Sequence, residues 1–232
     1  MQSPRKPAMN DAPPTPRPFV VAIDGPAASG KGTLARQLAK CFGLAHLETG
    51  ALYRATALLI LDANSDPADP AAAAAAARCV TAELLSDARL REEAVARAAS
   101  LVAANPEVRR ALLNFQRNFA AHPPPPAKGA VLDGRDIGSV VCPSANVKLF
   151  VTADPKVRAQ RRLDELRAAG RAAIYQDVLQ ELNERDMRDA GRSAAPMVAP
   201  PDATIVDTTT LDTAAAFARV SAILSRALAG GH

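Results

Sequence analysis

The stretch VVAIDGPAASGKGT, residues 20–33, decides the architecture. A short apolar run ends in Asp24. Gly25, Pro26, Ala27, Ala28, Ser29 and Gly30 then form a glycine-framed loop, and Lys31, Gly32 and Thr33 open a helix expected to run over 31–42 and stop near Gly43. Gly25-x4-Gly30-Lys31, set between a strand and a helix, matches the phosphate-binding loop. Its glycines let backbone N–H groups approach phosphate oxygens with no side chain in the way, and the helix start adds unpaired N–H groups and partial positive charge. Lys31 is expected to reach the β- and γ-phosphates. No hydroxyl residue directly follows the lysine, so Thr33, one place later, is the hydroxyl expected near Mg2+.

Elsewhere in the chain, the runs 19–24, 44–48, 130–133, 147–153 and 204–208 are apolar and of strand length, as in a parallel sheet covered on both faces. Helical patterns separate them, so the chain reads as α/β. Two connections are long. Between the second and third strands the pattern predicts helices over 50–62, 70–87, 90–104 and 106–121, followed by the stiff connector HPPPP at 122–126. Between the fourth and fifth it predicts an arginine-rich helix over 155–168, a break at Gly170 and a second helix over 174–190. Insertions of this length can close over ligands.

The 232 residues, 48% of them hydrophobic, suffice for one sizeable core. Residues 1–18 lack an apolar secretory segment and read as a disordered tail. Residues 19–232 read as one domain, with an insert at about 50–121 and a lid at about 155–195. Net charge is +4, and the tail supplies half of it through Arg5, Lys6 and Arg17 against Asp11, which argues against a nucleic-acid partner. Cys41, Cys79 and Cys142 have no metal-ligand spacing and read as reduced packing residues of a cytoplasmic protein. No apolar run reaches the ~20 residues of a membrane span. No exposed heptad seam points to an oligomer, so a monomer is expected.

A phosphate loop alone fits a switch, a motor or a kinase. The absence of an Asn-Lys-x-Asp stretch speaks against a guanine-nucleotide switch. Three further stretches bear on what faces the phosphates. LETGALYR, 47–54, puts Thr49 near a strand's carboxyl end, where ligands bind in open α/β sheets, with Tyr53 and Arg54 one helical turn on. Arg54 reads equally as a surface arginine or as an anion clamp. LDGRDIG, 132–138, ends the third strand: Asp133 is placed to orient Mg2+ or its waters, and Arg135 and Asp136 could face a ligand or cap a helix. In ERDMRDAGR, 184–192, Arg185 and Asp189 are four apart, as are Arg188 and Arg192. Alone this is a solvated ion-pair face; beside a phosphate loop it suits a closing lid. His46, His122 and His232 read as incidental.

With these stretches, AASLVAANPEVRRALLNFQR and LDGRDIGSVV in the same order, the chain from about residue 19 to residue 212 resembles the bacterial cytidylate kinases. GRDIG followed by the late ERD…R…R carries the specificity; an adenylate kinase would show a Gly-Phe-Pro-Arg-like stretch at residue 134. The resemblance implies a P-loop kinase core with strand order 2-3-1-4-5, a helical acceptor-binding insert and an arginine-rich lid. It implies transfer of the γ-phosphate of ATP, with Mg2+, to CMP and dCMP. Lys31, Arg135, Arg188 and Arg192 would be catalytic. Arg54, Arg135 and Arg192, with Thr49 and Tyr53 nearby, would hold the acceptor's phosphate. Ser100, Arg109 and Asp136 would read the cytosine, and Arg185 and Asp189 the sugar hydroxyls. Lid arginines among Arg158, Arg161 and Arg162 would steady the donor. Two departures stand out. ELLSDARLREE replaces a β-rich segment, so the insert should be smaller and more helical. Glu48 stands where aspartate is usual.

Overall fold

The computed structural model describes residues 17–192 and 195–230. Residues 1–16 of the expected tail, and His232, lie outside the described residues. Five strands, β1 (Phe19–Asp24), β2 (Ala45–Glu48), β3 (Gly129–Gly134), β4 (Val147–Thr152) and β5 (Thr204–Asp207), pair in parallel in the order β2-β3-β1-β4-β5. β1 and β3, at the centre, are the most deeply covered, with Val21, Ala22, Ile23 and Ala130 to Leu132 buried on both faces. That is why their sequences run apolar without alternation.

Two layers cover the sheet. On one side α1 (Lys31–Phe42) and α8 (Thr213–Ala229) enclose Leu34, Leu38, Val220 and Leu224 against Val21, Ile23, Leu149 and Val206. On the other side α2 (Thr49–Asp62), α3 (Pro70–Arg78), α4 (Glu93–Val102) and α5 (Pro106–Ala121) share a core built on Leu52, Leu58, Val95, Val102, Val108 and Leu112. A hairpin of α6 (Pro155–Ala168) and α7 (Tyr175–Ala190) has its own apolar contact of Ala159, Leu163, Val178 and Leu182, onto which Ala27 and Ala28 of the phosphate loop pack.

Local chemistry sets the helix ends. Asp69, Asn105 and Asp154 each precede a proline and accept from a backbone N–H of the first turn, and Asp212 caps α8 in the same way. The alanine-rich helix expected over 70–87 is shorter. α3 ends at Arg78, and 3-10 turns come next at Glu83–Ser86 and Ala88–Arg91. The β-branched pair Val80-Thr81 lies just past the stop, and Asp87 caps the second turn by accepting from Arg89 N–H. The next helix starts at Glu93, not 90. As expected of a compact insert, no strand occurs between Glu48 and Gly129 among the described residues.

The sheet also fixes the segment after β3. Asp24, at the tip of β1, accepts from the N–H groups of Ile137 and Gly138 at 2.7 and 2.8 Å. Burial pushes its carboxyl up to about 6 despite those two bonds. The link aims the GRDIG turn back over the sheet's carboxyl edge, beside the phosphate loop. Gly25, next to Asp24, has φ +146°, and a Cβ there would meet the Val151 carbonyl oxygen at 2.0 Å. Gly30 has φ +88° but open space around it. Gly25→Ala should therefore cost more than about 3 kcal/mol of unfolding free energy, and Gly30→Ala only about 1–2 kcal/mol, as read by urea denaturation.

Candidate active site

α1 begins with Gly30 as its N-cap and no side-chain cap, so its first N–H groups are left for a ligand. Lys31 Nζ folds back to donate to the Pro26 carbonyl at 3.0 Å. Burial brings its ammonium down to about 7; Arg135 and Arg185 push the same way, and Asp133 and Glu48 oppose them. Those neighbours show that the cationic edge of the loop lies next to the arginine-bearing segments. Ser29 Oγ is buried without a partner in the loop.

Thr33 is exposed at the start of α1. Across from it Asp133 is buried, and a Cβ on Gly32 would lie 3.7 Å from its Oδ2. Its other oxygen, Oδ1, is 2.7 Å from His46 Nε2. Thr33 and Asp133 thus offer hard oxygen donors at the mouth of the loop, which fits Mg2+. The described residues contain no cluster of three or more His, Cys, Asp or Glu able to enclose a metal.

A cavity of about 320 Å³ continues from the loop, lined by Ser29, Gly30, Thr33, Arg161, Thr208 and Leu211 among others. The three α6 arginines behave differently. Arg161 donates to Thr208 Oγ1 at 2.9 Å and to the Thr208 carbonyl at 2.6 Å, forming one wall of that cavity. Arg162 pairs with Glu165 on the surface. Arg158 is 3% exposed and turned inward: it donates to the carbonyls of Ala153 and Ala27 and pairs with Asp186 at 2.7 Å.

On the other side of Lys31 lies a cluster organised by Asp189, which is 1% exposed. Its Oδ2 accepts from Arg135 Nε at 2.7 Å, and its Oδ1 accepts from Arg192. Burial alone would raise this carboxyl, but Arg135, Arg192 and Arg185 hold it below the usual carboxylate range. Arg185 is brought down to about 10 by burial first and then by its cationic neighbours Arg135, Arg54 and Arg192. Two buried donors of this cluster, Arg185 Nε and Arg192 Nε, have no acceptor among the described residues. Arg54 is held at the edge by Glu48 at 2.6 Å, and Thr49 Oγ1 donates to the Asp133 carbonyl at 2.8 Å. Glu48, which burial would raise, lies below its ordinary value because of Arg54.

A second cavity, of about 200 Å³, adjoins this cluster and is lined by Tyr53, Arg109, Leu113, Gln116, Asp136 and Val140 among others. Arg109 pairs with Asp136 and lies 5.6 Å over the Tyr53 ring. One side chain here donates and the other accepts, between an aromatic face and apolar walls, which suits a flat base with polar edges. Ser100 is buried outside the residues that line this cavity and accepts from Arg188 Nε at 3.4 Å, which joins α4 to α7.

Arg54, Arg109, Arg135, Asp136, Arg185, Asp189 and Arg192 therefore meet in one region facing the phosphate loop. Arg158 and Arg161 point to internal partners, and Arg188 is half-exposed. His46, read as incidental in the sequence, meets Asp133, and sequence reading did not single out Asp186 or Thr208. His46 and Asp133 are 87 positions apart, and only the β2–β3 pairing brings them together.

Lys31 has a folded-state value depressed from 10.5 to about 7, so the unfolded chain binds more protons between those values. The ligand-free protein should gain stability as pH rises through that window, and Lys31→Met should flatten the slope. A bound triphosphate restores the ammonium. At pH 8, calorimetry in buffers of different ionisation enthalpy should show uptake of about one proton on nucleotide binding, absent in Lys31→Met.

A family profile described as cytidylate kinase matches residues 21–226. The cytidylate kinase of Rhodospirillum rubrum is 55% identical over 190 residues, spanning 82% of this chain and 89% of that protein. That of Methylobacterium sp. (strain 4-46) is 60% identical over 185 residues, spanning 80% and 86%. That of Granulibacter bethesdensis is 56% identical over 208 residues, spanning 90% and 97%. Among solved structures, an uncharacterized protein from Eubacterium ventriosum superimposes with a TM-score of 0.54 at 13% identity, covering 89% of this chain and 98% of that one, a likeness of fold alone. The expected sheet order, a phosphate loop facing an arginine cluster, and matches of this extent together make the chain a member of the cytidylate kinase family, nucleoside monophosphate kinases that transfer a phosphoryl group.

Proposed function

We propose that the protein transfers the γ-phosphate of ATP to CMP, and also to dCMP, giving CDP or dCDP and ADP. The observation that carries this reading is the pair of buried Nε–H groups of Arg185 and Arg192 with no acceptor among the described residues, beside the Arg109–Asp136 pair and its cavity. Donors left without acceptors in a buried cluster are costly unless a ligand supplies acceptors; a nucleotide brings them on its phosphate, for Arg192, and on its sugar hydroxyls, for Arg185.

In this reading Gly25 to Thr33 wrap the donor phosphates, and Lys31 leaves the Pro26 carbonyl to bind them. Arg162 and Arg188 approach from the lid at about 155–195, and Arg158 acts from behind the loop. Arg54, Arg135 and Arg192 hold the acceptor's phosphate, with Thr49 and Tyr53 beside it. Ser100, Arg109 and Asp136 read cytosine: Asp136 accepts from the exocyclic amine and Arg109 donates to the ring carbonyl. Uracil reverses one edge of that pattern. Arg185 and Asp189 meet the sugar. The insert at about 50–121 closes over the acceptor. Thr33 and Asp133 would hold Mg2+, directly or through water, where it neutralises charge on the donor phosphates.

The nucleophile is an oxygen of the acceptor's own phosphate, ionised at neutral pH, so the chain needs no general base. Its residues align the two phosphates, balance the developing charge and exclude water as a competing acceptor. The protein acts as a cytoplasmic monomer on small nucleotides, with no nucleic acid or membrane partner; no helix among the described residues is long and apolar enough to cross a membrane.

A coupled ADP-release assay across CMP, dCMP, UMP, AMP and GMP tests the reading: CMP and dCMP should give the highest kcat/KM. An equal or higher rate with UMP or AMP makes this a kinase of another acceptor, and no turnover with any of them points to a nucleotide-dependent binding module. Arg192→Ala should lower kcat by roughly 10³-fold or more while leaving the affinity for ATP within a few-fold. Unchanged turnover would remove Arg192 from the mechanism.

A further inference from the structure

Arg158 is the most thoroughly buried arginine of the helical hairpin, and its bonds join three separate parts of the chain. Its Nε donates to the Ala153 carbonyl at 2.9 Å, which fixes the guanidinium where β4 gives way to α6. One terminal nitrogen donates to the carbonyl of Ala27, inside the phosphate loop, at 3.3 Å, and lies 2.7 Å from Asp186 Oδ2 on α7. Asp186 directly follows Arg185 and lies three residues before Asp189, the anion that gathers Arg135 and Arg192. The bridge therefore runs from the donor loop through one guanidinium to the helix that carries the acceptor contacts.

Geometry gives the bridge a direction of action. A peptide unit is planar and trans, so a carbonyl of Ala27 held by Arg158 turns the N–H of Ala28 to the opposite side. A phosphate that binds to that N–H acts on the same rigid plane, and hence on Arg158. The side chains reinforce the path: Ala27 and Ala28 pack on the cluster of Ala159, Leu163, Val178 and Leu182, which clamps α6 to α7. Asp186 also keeps its second oxygen, Oδ1, buried with no partner among the described residues, so its carboxylate depends on Arg158 for its place.

We propose that the Arg158–Asp186 pair is the link through which an occupied donor loop fixes α7 for the acceptor, so that each nucleotide raises affinity for the other. Arg158 and Asp186 are then positioning residues: they touch neither reacting phosphate, and they set where Arg185 and Asp189 stand. The inference rests on the two-nucleotide reading above. Linkage makes the effect reciprocal, so it can be read from either side.

The test is calorimetric titration of the full chain with CMP, alone and in the presence of a non-hydrolysable ATP analogue with Mg2+. For the unaltered protein the analogue should tighten CMP binding by about 5–50-fold. In Asp186→Asn that factor should fall below about twofold, while the affinity for CMP alone changes by less than about threefold. The double variant Arg158→Met/Asp186→Leu removes both charges and leaves no buried ion unpaired, and it should lose the factor in the same way. A folded variant that keeps the full tightening overturns the proposal. So does an unaltered protein that binds both nucleotides with no mutual effect. If neither variant folds, the pair serves the fold alone and the proposal also falls. Failure of the unaltered protein to bind CMP at all would instead sink the reading on which the proposal rests.

Discussion

The buried carboxylate of Asp189 is the contact on which the acceptor side depends. Arg135 comes from the turn after β3 and Arg192 from just beyond α7, and the one carboxylate takes both guanidinium groups. Without a counter-ion, the cations Arg54, Arg135, Arg185 and Arg192 would repel one another out of the cleft. Asp189 takes one of them on each oxygen and lies below its usual range because of them. It gathers the cluster yet does not saturate it, since the Nε groups of Arg185 and Arg192 have no acceptor among the described residues. A surplus of positive charge, held in shape by one internal anion, is a site preorganised for a second, larger anion.

The parallel sheet determines where that charge meets the donor. β1 and β3 are central neighbours, and their carboxyl ends carry the phosphate loop on one and the GRDIG turn on the other. The bonds from Ile137 and Gly138 to Asp24 tie the second turn to the tip of the first strand. Lys31 feels Arg135 and Arg185 for the same reason: loop and cluster face each other over the edge of the sheet. The two cavities flank this meeting point, the larger beside the phosphate loop and the smaller beside the Arg109–Asp136 pair.

How much of this was legible in the sequence depends on how local each signal is. The five strands, the phosphate loop and helices α1, α5 and α6 are written in contiguous patterns, and their bounds agree with expectation to within a residue or so. The alanine-rich stretch misled because alanine favours helix wherever it stands, while the stop past Arg78 is set by the residues beyond it, Val80 and Thr81 among them. ERDMRDAGR reads alone as a solvated ion-pair face and, beside a phosphate loop, as a closing lid, and nothing within the stretch says that Asp189 is buried. That emerges only when α7 lies against the turn after β3. The contacts missed altogether are pairs distant in sequence: His46 with Asp133, Arg161 with Thr208, and Arg158 with Asp186. An arginine four or eight positions along a helix can point at a ligand, at a carbonyl or at a carboxylate, and spacing alone does not distinguish these.

The central claim is electrostatic: guanidinium groups gathered by Asp189 stabilise the acceptor's phosphate as a dianion. Phosphorus NMR of CMP bound to the protein, followed against pH, measures this directly. A free phosphate monoester takes up its second proton near pH 6. The account predicts that the bound phosphate stays dianionic to about pH 5 or below, with its resonance unmoved through the range where free CMP titrates. A bound phosphate that titrates at or above the free value would contradict it.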